Sequence, residues 1–190
     1  MGENNHCAEP RWYAVCTKHQ HEPSVAKMLV AKGFEVFYPT YSAVHRWKDR
    51  SKELEMPLFP GYLFFQGGLD RRLHILTIPG VFTIVSFGDT PAEIPSAEID
   101  AIRRVVFAPL KVEPHPYLAQ GDCVRVVRGP LAGLSGVLER KKDVVRLVVS
   151  VELLGRSAAV EIDAASVERI PLAPQLGYHT WTERAFNLSN

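Results

Sequence analysis

The stretch PLFPGYLFF, residues 57–65, places two prolines, one glycine and four aromatic residues within nine positions. Pro60 and Gly61 predict a tight turn, because proline fixes φ and glycine tolerates a left-handed backbone. The residues that follow, 62–65, favour a strand whose successive side chains point to opposite faces. At least one face must be core. If the other is exposed, it forms an aromatic patch suited to an apolar partner, whereas burial of both faces makes the segment purely structural.

The whole chain has the composition of an ordinary globular protein of one or two domains, with 190 residues, 46% hydrophobic, 23% charged and a net charge of +1. Because the net charge is close to zero, any binding of nucleic acid must depend on local basic patches. Three widely spaced cysteines (Cys7, Cys16 and Cys123) argue against a disulfide framework or a zinc knuckle. No apolar run approaches the roughly eighteen residues of a membrane span, and the N-terminus lacks a signal-peptide core. We therefore expect a cytoplasmic protein without membrane contact.

Strand and helix signals alternate in residues 11–108. RWYAVCT predicts a strand, and EPSVAKMLVAKG predicts a helix with Pro23 in its first turn and Gly33 at its end. FEVFYPTY and GVFTIVSFG predict further strands, and PSAEIDAIRRVVF predicts a second helix with Ser96 as its N-cap. This order predicts an α+β fold, an antiparallel sheet with flanking helices packed on one side.

Residues 119–171 carry almost only strand signals. GPLAGLSG is a glycine-rich turn without the Lys-Ser/Thr pair of a phosphate loop. VVRLVVSVELL predicts a long strand in which strict alternation buries Leu153 with the valines and turns Leu154 outward. Its β-branched residues favour a strand over a helix, which predicts a domain that does not switch to a helical form. Short strands at this spacing predict a small closed barrel.

The prolines of PLKVEPHPYLAQ predict a linker at residues 109–118, through which neither a helix nor a strand ladder passes. Residues 1–10 are predicted to be a disordered N-terminus. Residues 172–190 carry no clean periodicity and are predicted to be a flexible tail.

These segments, in this order, resemble the NusG family of transcription elongation factors from Arg11 to about Ile170. The resemblance rests on RWYAV, VAKMLVAKGFEVFYP and PLFPGYLFF in the first part, and on GDCVRVVRGPLAGLSGV with VSVELLGRSAAVEID, which look like the KOW motif, in the second. It implies an N-terminal domain that binds RNA polymerase, linked to an all-β, SH3-like KOW barrel that recruits other proteins. It implies no catalysis and no cofactor. RWKDRSKELEMPLFPGYLFF and VSFGDTPAEIPSAEIDAIRR look more like the specialised antiterminators of the RfaH, UpxY and LoaP kind than like the housekeeping factor.

The resemblance also implies protein-contact residues. The polymerase clamp would be contacted by Phe59, Tyr62 and Phe64. Arg71 and Arg72 fall near the loop that faces the polymerase gate loop, although the polar signature of the relatives is absent there. On the KOW side, a small-subunit ribosomal protein or Rho would dock on Leu153, Leu154 and Arg156.

HRWKDRSK interleaves cations with one indole, a combination that suits phosphate contact and base stacking on single-stranded DNA. A solvated hairpin tip is the alternative interpretation. The resemblance adds the stretch after the first strand, so that the residues implied to contact the non-template strand are Lys18, His19, His21, Arg46, Trp47, Lys48 and Arg50. His19, His21 and Cys16 lack a credible fourth ligand, so we predict no metal site.

The leading hypothesis is a monomeric regulator that binds RNA polymerase and suppresses pausing or termination. A ribosome-associated RNA-binding KOW protein is the first alternative, and the net charge of +1 counts against it. An enzyme is the second alternative, but the sequence displays no recognisable set of nucleophile, base and orienting residue.

Overall fold

The computed structural model describes residues 11–46, 51–116, 121–141 and 144–170. Two antiparallel sheets, two short hairpins and three α-helices make up this described part of the chain. In chain order, the elements are β1 (Trp12–Thr17), α1 (Glu22–Ala31), β2 (Glu35–Phe37), β3 (Thr40–Arg46), β4 (Ser51–Pro57), β5 (Tyr62–Gln66), α2 (Arg72–Leu76), β6 (Val81–Ile84), β7 (Ser86–Phe87), β8 (Thr90–Pro91), β9 (Glu93–Ile94), α3 (Ser96–Phe107), β10 (Val112–Pro116), β11 (Asp122–Val126), β12 (Ser135–Lys141), β13 (Val144–Val151), β14 (Arg156–Ile162) and β15 (Val167–Arg169).

The first sheet, called here the N-terminal sheet, has the strand order β2–β5–β1–β6, and β9 also pairs with β1. Strands β3 and β4 form a separate hairpin, as do β7 and β8. The predicted strand FEVFYPTY is divided between β2 and β3, with Tyr38 and Pro39 between them. Short helix α2 had no counterpart in the sequence interpretation.

Helices cover both faces of the N-terminal sheet, so the prediction that they pack on one side is wrong. Tyr13 and Leu63 pack with α1 and α2 in one buried cluster. Ala14 and Phe64 point to the opposite face and pack with α3 in another. The physical reason is that β1 is apolar at consecutive positions, and a strand without polar alternation must be covered on both sides.

The second sheet, called here the C-terminal sheet, has the order β10–β14–β13–β12–β11–β15. Strands therefore occupy most of residues 121–170, as predicted, and closure into a KOW barrel stays a prediction. The interpretation of residues 109–118 as a linker is wrong for Val112–Pro116, which forms β10 and pairs with β14. Its prolines are tolerated because β10 lies at the edge of the sheet, where one side of the strand has no ladder partner.

Helix α1 agrees with the prediction, with Pro23 in its first turn and Gly33 just beyond its end at φ +80°. Helix α3 begins at Ser96 itself, and among the described residues no side chain caps it, so the predicted Ser96 N-cap is wrong. Pro95 precedes the helix with an extended backbone, which leaves Ser96 inside the first turn.

Helix α3 lies between the two sheets. Its buried residues Ile99, Ile102 and Val105 belong to a cluster that contains residues of both sheets, and α3 packs directly against β13 and β14. None of the described helices is long and apolar enough to cross a bilayer. The predicted disordered N-terminus and flexible tail lie outside the described residues.

Candidate functional site

One end of the N-terminal sheet brings together several of the residues singled out from the sequence. Strand β1 ends beside the start of β5, where Cys16 pairs with Tyr62. Strand β2 runs antiparallel to β5 and ends at the same side. Residues 18–21, the turn at residues 58–61 and the base of the β3–β4 hairpin therefore all leave the sheet at this end. We call these three segments the loop end.

The turn before β5 is held by backbone and side-chain hydrogen bonds. Gly61 has φ +83°, a conformation that favours glycine. Its carbonyl accepts a hydrogen bond from the Thr17 N–H at 2.8 Å, and its N–H donates to Glu22 Oε1 at 2.8 Å. Glu22 is only 1% exposed. The sequence analysis missed this residue, because Glu22 and Gly61 are far apart in the chain and only the fold brings them together. The one signal in the sequence is an acidic residue in the first turn of a helix.

The aromatic residues of PLFPGYLFF are mostly core. Phe59 and Phe64 are fully buried, and their rings meet edge to face with centroids 5.9 Å apart. Phe37 stacks on Phe64 at a centroid distance of 6.0 Å. The assignment of Phe59 and Phe64 to a polymerase-contact surface is therefore wrong for this conformation, because their rings serve packing. Tyr62 stays partly exposed at the loop end.

The loop after β1 presents exposed polar residues on a fixed backbone. Lys18 and His19 are exposed, and the Lys18 N–H donates to the Gly80 carbonyl at 2.8 Å. His21 lies so close to Gly80 that a Cβ added to the glycine would approach its Nδ1 to 2.7 Å. These contacts tie the loop to the start of β6, so its cations occupy a defined position next to the turn.

The β3–β4 hairpin extends from the loop end with continuous pairing, from Thr40 opposite Pro57 to Arg46 opposite Ser51. A carboxylate lies at its base, where Glu55 accepts a hydrogen bond of 3.0 Å from the Thr40 hydroxyl. Burial raises the pKa of Tyr38 next to this base, and the carboxylates of Glu22 and Glu55 add to the rise. Arg46 ends β3, while the predicted DNA contacts Trp47, Lys48 and Arg50 lie outside the described residues.

Arg71 and Arg72 do not join this surface. They follow the far end of β5, opposite to Tyr62. The Arg71 guanidinium donates to the Lys32 carbonyl, and its Cζ lies 4.5 Å from the Phe34 ring centroid, so Arg71 secures the end of α1. Arg72 is exposed and donates to the Asp89 carbonyl at 3.5 Å.

Two of the predicted docking residues of the second part, Leu153 and Leu154, lie on the connection between β13 and β14, and the third, Arg156, begins β14. Strand β13 ends at Val151, and a 3-10 turn over Glu152–Leu154 follows, closed by Gly155 at φ +55°. Leu153 and Leu154 are both half-buried against the cluster that contains α3. The predicted alternation of one inward and one outward leucine is wrong, because the strand does not continue through them. The third residue of the set, Arg156, is exposed.

Comparison with known proteins identifies close relatives over most of the chain. Residues 10–103 match the family model described as transcription termination factor NusG. The transcription termination/antitermination protein NusG of Pseudomonas aeruginosa is 31% identical over 174 residues, covering 84% of this chain and 98% of that protein. NusG of Yersinia pestis is 33% identical, covering 84% and 96%. A solved structure reported for the domain interaction in Thermotoga maritima NusG is 24% identical, with a TM-score of 0.49, and covers 86% and 98%.

Proposed function

This chain belongs to the NusG family of transcription factors, and from that premise we propose that it is an elongation and antitermination factor that binds RNA polymerase through its N-terminal half. Its relatives carry the name transcription termination/antitermination protein. The factor acts without catalysis or a cofactor. It binds the elongating state of the enzyme better than a paused state and thereby shifts the population between them.

The observation that carries this proposal is the convergence of residues at the loop end. Tyr62 combines an apolar ring with a polar hydroxyl, the kind of side chain that anchors protein interfaces. The Gly61 turn beside it is fixed by Glu22, which limits the entropy lost when a partner binds. We assign the polymerase clamp contact to Tyr62 and the surface around it. The gate-loop contact of Arg71 and Arg72 would require a second, separate surface.

The cations of the loop end extend the same surface toward nucleic acid. Lys18 and His19 are exposed next to the turn, and the paired strands of the β3–β4 hairpin start from the same end of the sheet. We propose that they hold the non-template DNA strand, with backbone contacts from the cations and stacking from Trp47. We also propose that the chain is a specialised antiterminator, because RWKDRSKELEMPLFPGYLFF and VSFGDTPAEIPSAEIDAIRR resemble that group more than the housekeeping factor.

The C-terminal sheet supplies the second function. We propose that it is a KOW domain and that Leu153, Leu154 and Arg156 recruit a small-subunit ribosomal protein or Rho. The turn Glu152–Leu154 projects from the sheet between β13 and β14, where two adjacent leucines can anchor a partner once they are accessible.

The test is binding of the full chain to reconstituted RNA polymerase elongation complexes. Tyr62→Ala should weaken binding by about 2 kcal/mol, or roughly 30-fold in Kd, as expected for an aromatic anchor. Phe87→Ala is the matched control, because Phe87 is 63% exposed but follows β6 at the other end of the N-terminal sheet. Circular dichroism establishes that both variants are folded.

A second complex, with a gap in the non-template strand, separates the DNA contribution. Wild-type binding should fall when the strand is removed, and the loss should add to that of Tyr62→Ala. Equal binding by Tyr62→Ala and Phe87→Ala would reject the loop end as the clamp contact. Failure of the wild-type chain to bind polymerase would reject the proposal as a whole and favour the ribosome-associated alternative.

A further inference from the structure

A pocket with an apolar floor lies beside the C-terminal sheet, at the place where β14 ends and β15 begins. Its volume is about 330 Å³. The lining includes four apolar and two charged residues, which are Leu110, Val126, Leu131, Ile162, Arg128 and Asp163. The volume is at the lower end of the range for small-ligand pockets, so the pocket suits a single aromatic side chain better than a larger molecule.

Hydrogen bonds hold one wall of this pocket in place. The 3-10 turn Ala164–Ser166 follows Asp163, whose carboxylate accepts the Ala165 N–H at 2.9 Å. The Ser166 carbonyl accepts the Val127 N–H at 2.8 Å, which ties this turn to the end of β11. The pocket is therefore formed before any ligand binds, and little entropy is lost in ordering it.

One cation of the pocket lining is available to a ligand. Arg128 is exposed and forms no ion pair with any residue in the described part of the chain. The acidic lining residue, Asp163, instead binds the Ala165 N–H of the wall. A ligand that fits this pocket therefore combines a large apolar group with an acidic group.

The chain itself contains such a combination beyond the described residues. The predicted tail, residues 172–190, has three aromatic residues, Tyr178, Trp181 and Phe186, and a single acidic residue, Glu183. Trp181 and Glu183 are two positions apart, so both side chains point to the same side of an extended segment. Neither Tyr178 nor Phe186 has an acidic residue at this spacing.

The tail starts close enough to the pocket for Trp181 to reach it. The Ile170 N–H donates to the Cys123 carbonyl at 3.0 Å, three strand positions before the lining residue Val126. This separation is roughly 10 Å along β11. The residues between Ile170 and Trp181 span up to about 33 Å when extended. A segment tethered so near has an effective concentration in the millimolar range, so a contact with a separate Kd of about 1 mM is occupied about half of the time.

We propose that this pocket binds the tail of the same chain, with the Trp181 indole against the apolar lining and Glu183 paired with Arg128. The indole supplies the apolar area, and the ion pair fixes the orientation of the segment. The tail thereby competes with any other protein that would insert an aromatic side chain at this place. The proposal does not rest on polymerase binding, because it concerns only the pocket and the tail.

The experiment is ¹⁹F NMR of the full chain labelled with 5-fluorotryptophan, without any partner. The chain has three tryptophans, and Trp181→Phe identifies the resonance of the tail. In the wild type this resonance should shift little between light and heavy water, because the docked indole is covered. Trp12, which is 3% exposed, provides a buried reference in the same spectrum.

Filling the pocket tests its role. Ala165→Leu enlarges a lining residue and should lower the ratio of docked to free tail by at least about tenfold. Ala164→Leu is the matched control, because Ala164 is an exposed residue of the same 3-10 turn that is not part of the lining. The Trp12 resonance and the circular dichroism spectrum establish that both variants are folded.

Reversing one charge tests the ion pair. Arg128→Glu should lower the docked ratio by about threefold, as expected for an exposed pair, and Glu183→Arg in the same chain should restore it. Arg125→Glu is the control, because Arg125 is exposed on β11 and does not line the pocket.

A solvent-exposed Trp181 in the wild type would overturn the proposal, as would equal docking in Ala165→Leu and Ala164→Leu. A docked fraction that rises with protein concentration would assign the pocket to a second copy and reject docking within one chain. Failure of Glu183→Arg to restore docking would reject the pairing with Arg128. These measurements contain no polymerase, so their outcome is independent of the proposed function.

Discussion

Replacing Glu22 by alanine should loosen the turn that carries Tyr62. The Glu22 carboxylate is buried and accepts a hydrogen bond of 2.8 Å from the Gly61 N–H. Alanine removes the acceptor and leaves that N–H without its partner in a partly buried site. The same substitution removes an acidic group from the first turn of α1.

The magnitude follows from these two losses. A hydrogen bond between a backbone N–H and a carboxylate contributes about 1.5–3 kcal/mol. An acidic group at a helix N-terminus adds about 0.3–1 kcal/mol. Together they amount to about 3 kcal/mol, which for a chain of this size lowers Tm by roughly 6–12 °C. Glu22→Gln retains an oxygen acceptor and should lose about half as much.

The assay is thermal unfolding together with hydrogen exchange of the Gly61 amide. Glu53→Ala is the control, because Glu53 is an exposed carboxylate on β4 and should change stability by no more than about 0.5 kcal/mol. The Gly61 amide should lose protection in Glu22→Ala and keep it in Glu53→Ala. Equal Tm values for the two alanine variants, with Gly61 still protected, would refute the role of Glu22 as the anchor of the turn.

Two further substitutions test the C-terminal sheet and the proposed DNA contact. Gly136→Ala should destabilise the chain in urea by about 1–3 kcal/mol, because the new Cβ would lie 2.6 Å from the Val148 carbonyl oxygen on the paired strand. Gly133→Ala is its control, because no described atom lies within 4 Å of the new Cβ at that position. Since Gly133 has φ +83°, the alanine variant should lose about 1–2 kcal/mol of stability through backbone strain, without a steric clash. A loss of less than about 1 kcal/mol for Gly136→Ala would contradict the clash. Lys18→Gln should reduce the slope of log Kd against log salt concentration for elongation complexes by about 0.7, the value for one single-strand phosphate contact. Lys27→Gln is the control, because Lys27 is an exposed residue of α1, and it should leave this slope unchanged. An unchanged slope for Lys18→Gln would remove it from the DNA surface.

The local sequence pattern predicted secondary structure correctly where apolar residues recur at strand or helix spacing over several positions. FEVFYPTY was predicted to be a strand, and its alternate residues Phe34, Val36 and Tyr38 pack in the same cluster. Helix α1 and its boundaries were also predicted correctly, because Pro23 and Gly33 act through local backbone preferences. These features depend on neighbours in sequence, so the sequence alone specifies them.

The structure overturned expectations where a distant segment decided the outcome. Val112–Pro116 forms a strand despite its prolines, because β14 offers an open edge. Leu153 and Leu154 leave the strand alternation, because the 3-10 turn closed by Gly155 turns the chain toward α3. Residues 112–116 do not reveal that β14 has an open edge, and residues 153–154 do not reveal that they will pack toward α3.

The candidate site divides in the same way. The amino-acid sequence by itself determined helices α1 and α3, most strands of both sheets, the turn at Pro60-Gly61, the basic segment between β3 and β4 and, through its motifs, the family. Only the tertiary structure decided that Phe59 and Phe64 are core, that Glu22 anchors Gly61, and that Glu98 faces Glu152 across the two halves. Burial and pairing between residues far apart in the chain depend on how the elements pack, and the periodicity of a single segment carries no information about what will cover it.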